Sequence, residues 1–158
     1  MRCFLFLALS LSLLSCNNDD DDDNQQSIDC GLVNCQNAFI AIDFLAQSDG
    51  ENLFTNGTLT RESFQVIDIS SQEEISFGIN SEGLVYITPN IESRSVNSYS
   101  YAVKSSGETI LSFTLNAKNI ATSEDCCTVI EFSNVASTNP SFKRNGDSNQ
   151  RYKVSLDL

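Results

Sequence analysis

The chain has 158 residues, room for one domain, and 41% of them are hydrophobic, enough to build a core. Nine Lys and Arg stand against 21 Asp and Glu, a net charge of -12. That balance argues against nonspecific nucleic-acid binding, which needs cations to displace counterions from phosphate. With no His at all, Ser-His-Asp and Cys-His chemistry, HExxH zinc sites and a histidine base near neutral pH are excluded.

Residues 1–16 read MRCFLFLALSLSLLSC. Arg2 and the free amine supply a positive start, and Phe4 to Leu14 form an apolar run of 11 residues. A bilayer span needs about 20 residues, so this run fits the apolar region of a secretion signal instead. The segment Leu13-Leu14-Ser15-Cys16 resembles the lipobox of bacterial lipoproteins, with Leu first, a small residue before Cys, and the Cys itself. Leu14 is bulkier than that family's usual second residue. The resemblance implies that residues 1–15 are a cleaved signal peptide and that Cys16 carries the acyl chains of a membrane anchor. Several acyl chains hold firmly, since each buried methylene contributes about 0.8 kcal/mol and one chain alone is marginal.

Asn17 to Ser27 reads NNDDDDDNQQS. Five consecutive Asp repel one another and bury nothing, so residues 16–27 are expected to be the lipidated cysteine and a disordered, solvated tether. The run resembles the acidic cluster that some Gram-negative lipoproteins carry after the lipidated cysteine as a signal for export to the cell surface. Asn17 also differs from the Asp that retains many lipoproteins in the inner membrane. Together these resemblances imply the outer membrane, with the cell surface favoured over the periplasmic face.

From Ile28 onward no sustained 3.6-residue apolar period appears. Short runs rich in Val, Ile, Phe, Tyr and Thr alternate with Gly, Asn, Ser and Asp. Phe39 to Phe44 predicts a strand with Ile40, Ile42 and Phe44 on one face. Phe64 to Ile69 and Ile75 to Ile79 follow, and Asn80 to Gly83 reads as a turn into Leu84 to Ile87. Tyr99 to Val103 leads through Ser105-Ser106-Gly107 into Leu111 to Leu115, and Thr128 to Phe132 comes next. Arg151 to Leu158 alternates most cleanly, placing Tyr152, Val154, Leu156 and Leu158 together. Half-buried antiparallel strands give this pattern. Residues 28–158 therefore predict an all-β domain, an antiparallel β-sandwich of about eight strands, Ig-like in size. A small antiparallel β-barrel is the alternative. Two longer connections stand out: Gln47 to Thr60, in which Leu53 and Phe54 are expected to pin the loop, and Ala136 to Gln150, with Phe142 beside Lys143 and Arg144.

Beyond Cys3 and Cys16 the cysteines are Cys30, Cys35, Cys126 and Cys127. An exported chain matures under oxidising conditions, so disulfides are expected. A bond between the adjacent Cys126 and Cys127 is strained, which favours cross-links from Cys30 and Cys35 to this pair. Each would close a loop of about 90 residues, worth up to about 4 to 5 kcal/mol in the chain-entropy model. The spacing is poor for tetrahedral zinc, and no metal or cofactor is expected.

No phosphate loop, GxSxG elbow or SxxK motif is present. The acids Glu73-Glu74 and Glu124-Asp125 suit solvated surfaces better than paired catalytic carboxylates. Asp49, Glu51 and Asn52 suit a turn better than a calcium loop. Lys143, Arg144, Arg151 and Lys153 gather four of the nine basic residues. Charge balance around the last strands is their plainer reading, and an anionic glycan or protein partner the sharper one. Tyr86, Tyr99 and Tyr101 suit half-buried packing better than sugar stacking. The expectation is a lipid-anchored envelope protein, a non-enzymatic binding or structural module. An accessory subunit docking on a membrane protein complex is second, and a carboxylate-based hydrolase is last.

Overall fold

The computed structural model describes residues 38–121, 128–148 and 150–158. Cys16, Cys30, Cys35, Cys126 and Cys127, the signal, the tether and Glu124-Asp125 lie outside them. Nine strands occur among the described residues: β1 Ile40–Ala46, β2 Phe64–Asp68, β3 Phe77–Ile79, β4 Val85–Ile87, β5 Asn97–Ser105, β6 Glu108–Ala121, β7 Thr128–Ser137, β8 Lys143–Arg144 and β9 Arg151–Leu156. They form two separate sheets, ordered β3-β4-β1-β9-β8 and β2-β5-β6-β7. The fold is an all-β sandwich, and the barrel alternative is set aside because neither sheet closes on itself or on the other.

One pairing departs from the antiparallel expectation. β1 and β9 run parallel, from Ala41 opposite Arg151 to Ala46 opposite Leu156. The intervening chain crosses to the other sheet and back, and that excursion is what permits two parallel neighbours. Period-two alternation then builds the core. Ile40, Ile42 and Phe44 of β1, with Tyr152, Val154 and Leu156 of β9, meet Val66, Tyr101, Val103, Phe113 and Leu115 of the opposite sheet. All are buried, and among the described residues no charged or polar residue is buried with them. Leu158 does not join this face; it lies beyond the end of β9 and is exposed.

Turns set the register. Ser106 and Gly107 both take positive φ, 51° and 85°, which suits a two-residue hairpin between twisted strands. At the β3–β4 turn, Gly83 has φ 78° and donates to the Asn80 carbonyl at 3.0 Å. The loop after β1 is held as expected: Leu53 is buried, and Phe54 packs edge-on against Phe44 and Phe64. β6 and β7 run well beyond the runs Leu111–Leu115 and Thr128–Phe132, and β8 has no counterpart in the predicted strands.

Candidate functional site

β7 and β8 are the last strands of their sheets on the same side of the sandwich, and a cleft of about 590 Å³ opens between them. Its wall is the β7 segment Phe132 to Ser137, and its opposite side is Phe142, Lys143, Arg144 and Tyr152. β7 is bulged here: Thr114 faces Ala136 while Asn116 faces Ser133, so Leu115 opposes two residues. Asn134 absorbs the extra residue with φ 51°, a conformation that Asn tolerates better than most side chains. Phe132 and Val135 are half-buried and packed against the core.

The other side is fixed by one hydroxyl. The Ser141 Oγ–H donates to the Ser155 carbonyl at 2.7 Å, and its oxygen accepts the Ser155 N–H at 3.0 Å, fastening the turn before β8 to β9. Phe142 is thereby wedged between the sheets. Its ring stacks on Tyr152 at 5.1 Å and on Phe113 at 6.2 Å, and Phe113 in turn packs against Tyr101. The aromatic floor of the cleft is thus continuous with the core.

Charge is distributed unevenly around it. Arg151 pairs with the Asp43 carboxylate at 3.1 Å, and the Asn145 amide donates to the same oxygen at 3.1 Å. That contact fulfils the charge-balance reading for one of the four basic residues. Arg144 lies opposite Tyr152 across the β8–β9 pair, and burial holds the Tyr152 phenol above its ordinary range, with the Arg144 guanidinium partly opposing. Lys143 lies opposite Lys153 across the β8–β9 pair. Among the described residues, Lys143, Arg144 and Lys153 make no ion pair, and no carboxylate lines the cleft.

The other candidates disperse. Tyr101 is fully buried and Tyr99 packs against the same core, whereas Tyr86 lies on the other sheet against Phe39 at 5.0 Å. Asp49 and Asn52 are turn formers: Asp49 Oδ1 accepts the Glu51 N–H, and Asn52 Oδ1 accepts those of Phe54 and Thr55. Asn52 also donates to the Gly83 carbonyl at 3.3 Å, tying its loop to the β3–β4 turn. Glu73 and Glu74 are exposed after β2. A second groove, about 760 Å³, brings Gln47, Asn139 and Ser141 of the two long loops beside Leu156 and Leu158 at one end of the sandwich, with Glu108 and Asp157 on its rim. Among the described residues no group of His, Cys, Asp and Glu is placed to hold a metal.

Sequence reasoning singled out Phe142, Lys143 and Arg144 but missed Phe132 and Val135 as their counterparts. Comparison with protein-family models, curated proteins and solved structures finds no match to this chain.

Proposed function

We propose that the protein is a lipid-anchored envelope protein, held on the outer membrane through Cys16, whose sandwich acts by binding a partner and not by catalysis. The observation that carries the binding reading is the β7–β8 cleft, where an aromatic floor meets two cations with no carboxylate among the lining residues. Binding sites combine apolar surface with a few placed polar groups in this way. The anchor rests on Leu13-Leu14-Ser15-Cys16 and the acidic run that follows.

Strand directions support one detail. The Ala41 N–H donates to the Gln150 carbonyl at 2.7 Å, and Gln150 shares a groove with Ala117, Lys118 and Ile130, late in β6 and early in β7. The start of β1, the later part of β6 and the start of β7 therefore share one end of the sandwich. Such an arrangement is compatible with disulfides from Cys30 and Cys35 to Cys126 and Cys127.

Fractionation and protease shaving of intact cells test the anchoring. The wild-type domain is expected in the outer-membrane fraction and lost on shaving without lysis. Cys16→Ser is expected to release it, and Asp19 to Asp23 replaced by Ser to protect it. A wild-type chain recovered in the soluble fraction overturns the anchor, and one protected from shaving overturns surface display.

A further inference from the structure

We propose that the cleft accepts an extended, acidic peptide that adds a strand to the free edge of β7; this deepens, and rests on, the reading of the domain as a binding module. Four strands end the two sheets, and three are poor templates. β3 has three residues and β8 two. The outer side of β2 is already taken, since Asp68 N–H donates to the Glu73 carbonyl and Ile75 N–H to that of Val66. β7 has ten residues, pairs with β6 on one side, and makes no backbone hydrogen bond on the other among the described residues. An unpaired edge of that length is a ready template for another strand.

The cleft beside this edge gives the added strand its selectivity. Alternate side chains of a strand in the plane of β7 face β8, because successive residues point to opposite sides. Apolar ones there cover Phe132 and Phe142, and carboxylates meet Lys143 and Arg144. Those two cations have no ionic partner among the described residues, on a chain that is otherwise strongly acidic. Charge complementarity therefore selects an acidic peptide. A second copy on the same edge would bring two sets of these cations together, which disfavours pairing of β7 with itself.

The test uses the lipidated full chain in liposomes of zwitterionic phospholipid. The probe is a fluorescent peptide of about ten residues, matched to the length of β7, with Ser at every second position and Val and Glu taking turns at the others, so that one face carries both Val and Glu. One control carries Lys for Glu; another is N-methylated at alternate amides, which removes strand pairing but keeps the side chains. Anisotropy is expected to show binding of the Val–Glu peptide that weakens with salt, about tenfold weaker binding for each control, and a similar loss in the exposed double variant Lys143→Glu/Arg144→Glu. Amide exchange in β7 is expected to slow when the peptide binds.

Absence of binding, or binding indifferent to N-methylation, overturns the proposal. So does a dimer whose β7 amides are protected before peptide is added, or a polyuronate that binds where the peptide does not. Photo-crosslinks from Ser133 and Ala136 in intact cells separate this failure from that of the wider reading. If the crosslinks persist without peptide binding, only the strand addition falls; if they too are absent, the binding cleft falls with it.

Discussion

Gly83→Ala tests how the β3–β4 turn is locked to the loop after β1. Gly83 has φ 78°, and an added Cβ there would lie 2.7 Å from Cγ of Asn52 and against its Oδ1. The left-handed backbone costs a residue with a Cβ about 1 to 2 kcal/mol. Relief of the overlap must move Asn52, whose amide donates to the Gly83 carbonyl and whose Oδ1 accepts from Phe54 and Thr55. These bonds are worth about 1 kcal/mol each at most in so partly exposed a site. The total is about 2 to 4 kcal/mol, a fall in Tm on the order of 10 °C for a domain of this size. Urea unfolding followed by far-UV circular dichroism measures it, since the chain has no Trp. In an Asn52→Ala background the overlap is gone and only the backbone cost of about 1 to 2 kcal/mol remains. A cost below about 0.5 kcal/mol in the wild-type background, or equal costs in both backgrounds, refutes the reasoning.

Phe142→Ala removes the wedge between the sheets and is expected to destabilise by about 2 to 3 kcal/mol, less than a fully buried Phe because the ring borders the open cleft; urea midpoints check it. Asp43→Ala strips Arg151 and Asn145 of their shared acceptor and is expected to cost about 1 to 2 kcal/mol, a loss that 1 M salt barely changes if the hydrogen bonds dominate over long-range attraction. Burial raises the Tyr101 phenol well above its ordinary range, with the Asp68 carboxylate and Tyr99 adding to the shift, and burial raises Tyr152 as well. The unfolded chain therefore loses these protons first. Their contribution to stability is complete below about pH 10 and declines as pH rises above it, so urea midpoints should be flat through neutral pH and fall between about pH 10 and 11. Midpoints that rise across that interval contradict the burial of both phenols.

The strands that form the centre of the sandwich were legible because they are half-buried. Tyr152, Val154 and Leu156 alternate with Lys153 and Ser155, and Ile40, Ile42 and Phe44 alternate with Ala41 and Asp43; the structure buries both apolar sets as read, and Ala41 with them. The Ser106-Gly107 and Asn80 to Gly83 turns were legible for backbone reasons. The far parts of β6 and β7 were not. Asn119 reads as a loop residue, yet it sits in β6 with its backbone N–H donating to the Ser93 carbonyl and its amide to that of Ile91. Beyond Phe132, β7 is an edge with polar residues and a bulge, so no alternation marks it. The cleft needed long-range pairing that no local pattern encodes. Phe142 looked like a loop residue because its burial depends on Ser141 meeting Ser155 and on Phe113 arriving from the other sheet. The parallel partnership of β1 with β9 has the same origin.

If the β7–β8 cleft of the anchored domain meets a partner in the envelope, as proposed, the residues lining it must touch that partner. Photo-crosslinking amino acids at Ser133 and Ala136, both exposed in the cleft, and at Ser71 and Asn90, exposed elsewhere, test it directly in intact cells. The account predicts one shared crosslinked species from the two cleft positions, absent from the distant ones and lost with Cys16→Ser. Equal crosslinking from all four positions, or none from Ser133 and Ala136 while the chain is correctly anchored, contradicts it.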